Sequence, residues 1–151
     1  FGRILLRDNP MHEPPIADLG FDPLLDLPRS TRIEDMLKCR TGRIKAVLLD
    51  QSFAAGVGNW IADEVLYQAG IDPRRRANTL SAQDVRRLRR KLKAIVELAV
   101  RVLADKRRYP RDWLFHHRWA KNRSAVTGAG DRIEHIKVAG RTTAWVPRRQ
   151  Q

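Results

Sequence analysis

The stretch LLDQSFAAGVGNWIADEVLYQAGIDP, Leu48 to Pro73, decides the fold. Leu48 and Leu49 close one helical segment, Gly56 and Gly58 allow backbone geometries that other residues avoid, and after Asn59 the apolar residues Ile61, Val65 and Ala69 recur every four positions. A second helix is therefore predicted to start near Asn59 and to stop at Gly70, with Pro73 just beyond. Its unpaired N–H groups and positive dipole end form an anion site, and with the Asn59 amide they suit a phosphate. The same residues also permit a plainer reading, in which Asn59 caps its helix and Asp63 and Glu64 complement the dipole.

Charge widens the argument. Thirty Lys and Arg against seventeen Asp and Glu leave +13, with a sequence pI near 11.1. Such a balance points to a polyanion, nucleic acid first and an acidic membrane surface second. No apolar run approaches the roughly 20 residues of a membrane span, so a soluble chain is expected, with no membrane as partner beyond that second, surface-binding reading. The 151 residues suffice for one compact domain or two small ones. Cys39 is the only cysteine, which excludes an internal disulfide and a multi-cysteine zinc site and fits a reducing compartment. His12, His116, His117 and His135 show no ligand spacing, so neither a metal nor another cofactor is expected.

Outward from the central stretch, FGRILLR at the start alternates like a short strand with no partner close behind it, as the last strand of a preceding domain would. No signal-peptide pattern is present. Pro10, Pro14, Pro15, Pro23 and Pro28 make Asp8 to Pro28 a linker, anchored by Leu19 and Phe21. Thr31 and Glu34 have capping-box spacing, and Ile33, Met36 and Leu37 give one apolar face before Gly42. The segment Arg43 to Asp50 buries Ile44, Val47 and Leu48.

The longest helix is predicted from Ala82 to Asp105, opened by Ser81 and Asp84, with Val85, Leu88, Leu92, Ile95, Ala99, Val102 and Leu103 on its apolar side. Arg86, Arg87, Arg89, Arg90, Lys91 and Lys93 form the other side, either a solvated face or a nonspecific polyanion contact. Trp113, Phe115 and Trp119 read as packing residues. RIEHIKVAGRTTAWVP reads as two strands joined at Ala139 and Gly140, with Arg141 at or beside the tip. Two strands alone are marginal in water, so Trp145 must pack on something.

The central stretch resembles the helix-two-turn-helix of the formamidopyrimidine-DNA glycosylase and endonuclease VIII family, and VAGRTTAWVP resembles that family's C-terminal finger hairpin. FGRILL and LGFDPL, Leu19 to Leu24, are similar to the junction between its N-terminal β-sandwich and its helical domain. The resemblance implies a mainly α chain: residues 1–28 a remnant of the sandwich and linker, with its N-terminal strand; 29–120 a helix-two-turn-helix DNA-binding domain; 121–151 a β-hairpin finger. It implies double-stranded DNA with oxidised bases or abasic sites as partner, a monomer, and a nuclear location in a eukaryote or a cytoplasmic one otherwise. Asn59, with Gly58, matches the family's phosphate-binding turn. Arg141 matches the finger arginine that binds the phosphates flanking the lesion and is credited with assisting the elimination step. Lys45, Arg43 and Arg40 lie where the family has basic residues near the same backbone, and Phe1 matches its aromatic wedge.

Two departures qualify these expectations. The hairpin lacks the four zinc-binding cysteines of most bacterial members: Val146, Pro147, Arg148 and Arg149 occupy the region of the second pair. That resembles the zincless finger of plant and fungal members, which packing and hydrogen bonds must hold. The family's N-terminal Pro-Glu start and its sandwich lysine, which carry the Schiff-base chemistry, have no counterpart beginning at Phe1 and Gly2. The expectation is the DNA-binding C-terminal part of a glycosylase and AP lyase, inactive alone. The alternatives are a noncatalytic nucleic-acid binder built on the same helical motif, or a basic membrane-surface or histone-like protein that would not need Asn59 and Arg141.

Overall fold

Among the described residues, five α-helices precede one antiparallel hairpin in chain order: α1 Ser30–Lys38, α2 Ile44–Leu49, α3 Asn59–Ala69, α4 Ala82–Arg101, α5 Leu114–His117, β1 Glu134–Val138 and β2 Arg141–Trp145. The computed structural model describes residues 4–119 and 125–151. Phe1 lies outside them. Ile4 to Arg7 form no strand, and Ile4 and Leu6 are fully exposed, because a strand needs a partner for its backbone and none pairs with it among the described residues.

The helical core follows from the apolar spacing. α3 buries Ala62, Val65, Leu66 and Ala69, and α4 lays Val85, Leu88, Leu92 and Ile95 against it. α1 adds Ile33 and Leu37, α2 adds Ile44, Val47 and Leu48, and the linker sends in Phe21, whose ring meets Phe53 edge-on at 5.2 Å. Gly20 permits that entry, since a Cβ there would sit 2.3 Å from the Phe53 carbonyl oxygen.

Helix boundaries show where local signals prevailed and where they did not. The Ser81 hydroxyl accepts from the Asp84 N–H at 3.1 Å and the Asp84 carboxylate accepts from the Ser81 N–H at 3.1 Å, completing the expected capping box. Thr31 and Glu34 form none, because α1 begins at Ser30 with Arg29 as its N-cap, two residues ahead of a start capped by Thr31, and has no side-chain cap. α4 ends at Arg101, short of the predicted Asp105. Leu103 and Ala104 adopt φ of 53° and 56°, and the Ala104 N–H returns to the Ala99 carbonyl. That reversal keeps Val102 inside and leaves Leu103 exposed, while Tyr109 reaches back into the core. Trp113 and Phe115 pack as expected: Tyr109 stacks on Trp113 at 5.1 Å and Phe115 meets Trp60 at 5.1 Å. Trp119 stays exposed, with its ring beneath the Arg118 guanidinium.

The hairpin pairs Glu134 with Trp145 through Val138 with Arg141. Ala139 and Gly140 link the strands with φ of 50° and 72°, the backbone of a type I′ turn. Its inner face joins the helices: Ala125, Ile133, Ala144 and Val146 form a second cluster with Tyr67 and Leu114. Trp145 is buried beneath the Arg74 guanidinium, 4.2 Å from its ring centroid. In the region matched to the second cysteine pair, Arg148 and Arg149 reach Asp131 at 3.4 and 2.5 Å. Gln150 accepts from the Val146 N–H and donates to the Ile71 carbonyl, strapping the C-terminal residues to the end of α3.

Candidate nucleic-acid interface

The turn before α3 is held by one side chain. The Gln51 amide oxygen accepts from the Gly56 N–H at 2.8 Å, and its nitrogen donates to the carbonyls of Leu49 and Val57 at 3.1 and 3.2 Å. Gly56 takes φ of 76°, which disfavours a side chain. Gly58 does not: at φ −93° and ψ 179° it is extended, and a Cβ on it would meet nothing within 4 Å. The expectation that both glycines serve backbone geometry is thus corrected for Gly58. Its missing side chain instead leaves the N-terminus of α3 open.

Asn59 is the first residue of α3 and does not cap it. Its amide nitrogen donates across 83 positions of sequence to the Thr142 carbonyl of β2, at 3.0 Å. One N–H of that amide remains, beside the N–H groups of Asn59, Trp60 and Ile61, which find no backbone acceptor in the first turn. The same hydrogen bond sets the start of β2, and so the backbone of Arg141, against the start of α3. Arg141 is exposed, and among the described residues its guanidinium has no hydrogen bond or ion pair.

Behind Asn59 lies a buried charge network that sequence reading missed. Lys45 was expected to approach a DNA backbone; it is instead fully buried, paired with Asp63 and donating to the Asn59 carbonyl at 3.3 Å. Burial pulls its ammonium below the ordinary lysine range, while the Asp63 charge acts in the opposite direction. Arg118 donates twice to one Asp63 oxygen, at 3.2 and 2.6 Å, and the Ala144 N–H of β2 donates to the same oxygen at 3.1 Å. Glu64 is also inside, accepting from the Phe115 N–H and from Gln68, each at 2.8 Å. Desolvation pushes its carboxyl up to about 7. Neither acid therefore complements the α3 dipole from the surface. No local pattern announces such pairing, because Lys45 and Arg118 come from other elements.

The other basic residues divide. Arg43 is exposed ahead of α2, whereas Arg40 donates to the Met36 carbonyl at 3.0 Å and stands 5.0 Å from the Phe53 ring. Neither has a hydrogen bond or ion pair to Asn59 or Arg141 among the described residues. The α4 stripe is partly spent inside the fold: Arg87 holds the Ala69 carbonyl and Asp84, and Arg89 holds the Pro28 carbonyl. Arg86 and Arg90 remain exposed.

Residues 19–110 match the family model described as the formamidopyrimidine-DNA glycosylase H2TH domain. A formamidopyrimidine-DNA glycosylase of Arabidopsis thaliana is 41% identical over 151 residues, covering 100% of this chain and 38% of that protein. One from Thermomicrobium roseum is 37% identical and is covered over 55% of its length. The chain thus spans between about two fifths and just over half of these relatives. The solved complex between the Lactococcus lactis enzyme and a DNA containing an abasic site superposes with a TM-score of 0.73 at 28% identity, over 89% of this chain and 52% of that one. Fold and site together define a helix-two-turn-helix protein with a hairpin docked at the start of α3. The chain belongs to the formamidopyrimidine-DNA glycosylase family.

Proposed function

We propose that these residues form the DNA-gripping part of a glycosylase and AP lyase that removes oxidised bases from double-stranded DNA. The Asn59 to Thr142 hydrogen bond carries this reading, because it joins a helix N-terminus to the strand backbone next to Arg141, whose side chain is exposed, from a distant part of the chain. A phosphate is a small, doubly accepting anion, and helix N–H groups, an amide and a guanidinium can hold one kinked backbone from two sides. Arg141 would also stand beside the charge that develops during elimination. The names of the relatives and the abasic DNA bound by the L. lactis enzyme support this assignment. The zincless finger is part of it, with Asp131, Arg148, Arg149 and Gln150 holding the hairpin where a metal would otherwise do so.

No Pro-Glu pair occurs among these residues, so the grip and the nucleophile are separate properties. Asn59→Ala and Arg141→Ala should each weaken binding to an abasic-site duplex about tenfold, the scale of one lost hydrogen bond to a charged group. Borohydride should trap no covalent complex between these 151 residues and the same DNA. If both substitutions leave affinity unchanged while neutralising Arg86 to Lys93 abolishes it, the protein is a nonspecific basic binder.

A further inference from the structure

Asp63 is the point at which the two halves of the site are joined. One of its oxygens pairs with Lys45, which in turn donates to the carbonyl of Asn59. The other takes two hydrogen bonds from Arg118 and one from the backbone N–H of Ala144. Ala144 lies in β2, three positions after Arg141, and Asn59 holds the Thr142 carbonyl between them. The hairpin is therefore fastened to α3 at both ends of a short arc. Asn59 grips it at the surface, and Asp63 grips it in the interior.

We propose that Asp63 is a positioning residue for DNA recognition: through Ala144 and Lys45 it fixes the offset between Arg141 and the Asn59 turn. The inference rests on the DNA-binding function proposed above. Three features argue for position and against charge balance as its role. Asp63 is 1% exposed, and every one of its partners comes from a different element, α2, the segment after α5, and β2. The bond to Ala144 is made by a backbone N–H, so the Asp63 carboxylate holds the strand's main chain itself, and no rotation of a β2 side chain releases it. Finally, two cations surround one carboxylate. Neutralising Lys45 alone would need a single acceptor, whereas this arrangement triangulates one carboxylate among three elements. The remaining packing of this part of the hairpin on the helices, through Ala144 and the adjacent Val146 against Tyr67 and Leu114, is apolar and non-directional.

Asp63→Glu separates these roles. It keeps the buried charge paired, and so the fold, yet moves the acceptor by one methylene. The native chain, Asp63→Glu, Arg141→Ala and the double variant are titrated with an abasic-site duplex and an undamaged one, and amide exchange is followed at Ala144 and along α4. Asp63→Glu should leave α4 protection intact, accelerate exchange at Ala144, and weaken abasic-site binding about fivefold or more. The double variant should bind no more weakly than Arg141→Ala, because a misplaced arginine has already been lost. Native affinity in Asp63→Glu, or a loss that adds in full to that of Arg141→Ala, overturns the proposal. Should the native chain fail to prefer the abasic duplex, the DNA reading falls, and Ala144 exchange still decides: unchanged protection in Asp63→Glu ends the claim that Asp63 holds the strand. If Asp63→Glu does not fold, Arg118→Lys, which keeps the charge and breaks the paired hydrogen bonds, takes its place with the same expected and overturning results.

Discussion

At the scale of single residues, side chains of one chemical type do unrelated work, and burial decides which. Lys45 and Arg141 are both cations in motifs that resemble DNA-binding ones, yet Lys45 is sealed behind Asn59 and Arg141 is exposed. Gly56 and Gly58 differ in the same way. Gly56 is needed for its positive φ, while Gly58 is neither strained nor crowded by the protein. Gly58→Ala should consequently fold with unchanged thermal stability and lose affinity for an abasic-site duplex, since the methyl group points into the space the phosphate would occupy. Equal losses of melting temperature and affinity would show that Gly58 serves the fold. From sequence, Asn59 was legible as a phosphate ligand or a cap, and both readings rest on the same local pattern. Its bond to Thr142 was not legible, because nothing near Asn59 encodes a partner 83 positions away.

At the scale of elements, local signals worked where an element is held by its own residues. The Ser81 and Asp84 box, the Gly70 stop and the two-residue hairpin turn formed as read. The turn carries one flaw. Ala139 takes φ of 50° at a position where Asn-Gly is the favoured pair, and a left-handed alanine costs about 1 kcal/mol. Ala139→Asn should therefore slow amide exchange across β1 and β2 by a few-fold and raise the melting temperature slightly. Faster exchange would mean that Ala139 is held by contacts beyond the turn. Elements whose ends are set by neighbours were read less well. α4 stops before Asp105 because the chain must return Tyr109 to the aromatic cluster, and α1 starts at Ser30 with no regard for the Thr31 box.

At the scale of the whole molecule, buried polar groups hold the hairpin and α5 to α3. Glu64 is one such tie. Its ordinary pKa is 4.5, and burial raises it to about 7 in the folded protein. The folded state binds a proton that the unfolded chain releases, so this contribution is complete below about pH 4.5 and is lost as pH rises through about 7. The native chain should lose on the order of 2 kcal/mol of unfolding free energy between pH 5 and pH 8 from this group. Glu64→Gln, whose amide can still accept from Phe115 and meet Gln68, should flatten that fall in urea titrations at the two pH values. A parallel fall in both proteins would remove Glu64 as its source.

By itself the sequence determined the helix order, the turn that presents Asn59, the hairpin that presents Arg141, the basic charge and the family resemblance. Those are properties of spacing, glycine placement and composition, and they act within a few residues. Only the tertiary structure decided that Asn59 binds the hairpin backbone, that Lys45 faces inward, and that Asp63 ties Lys45, Arg118 and Ala144 together. The physical reason is that a buried charge is tolerable only when partners from other elements surround it, and packing alone chooses those partners.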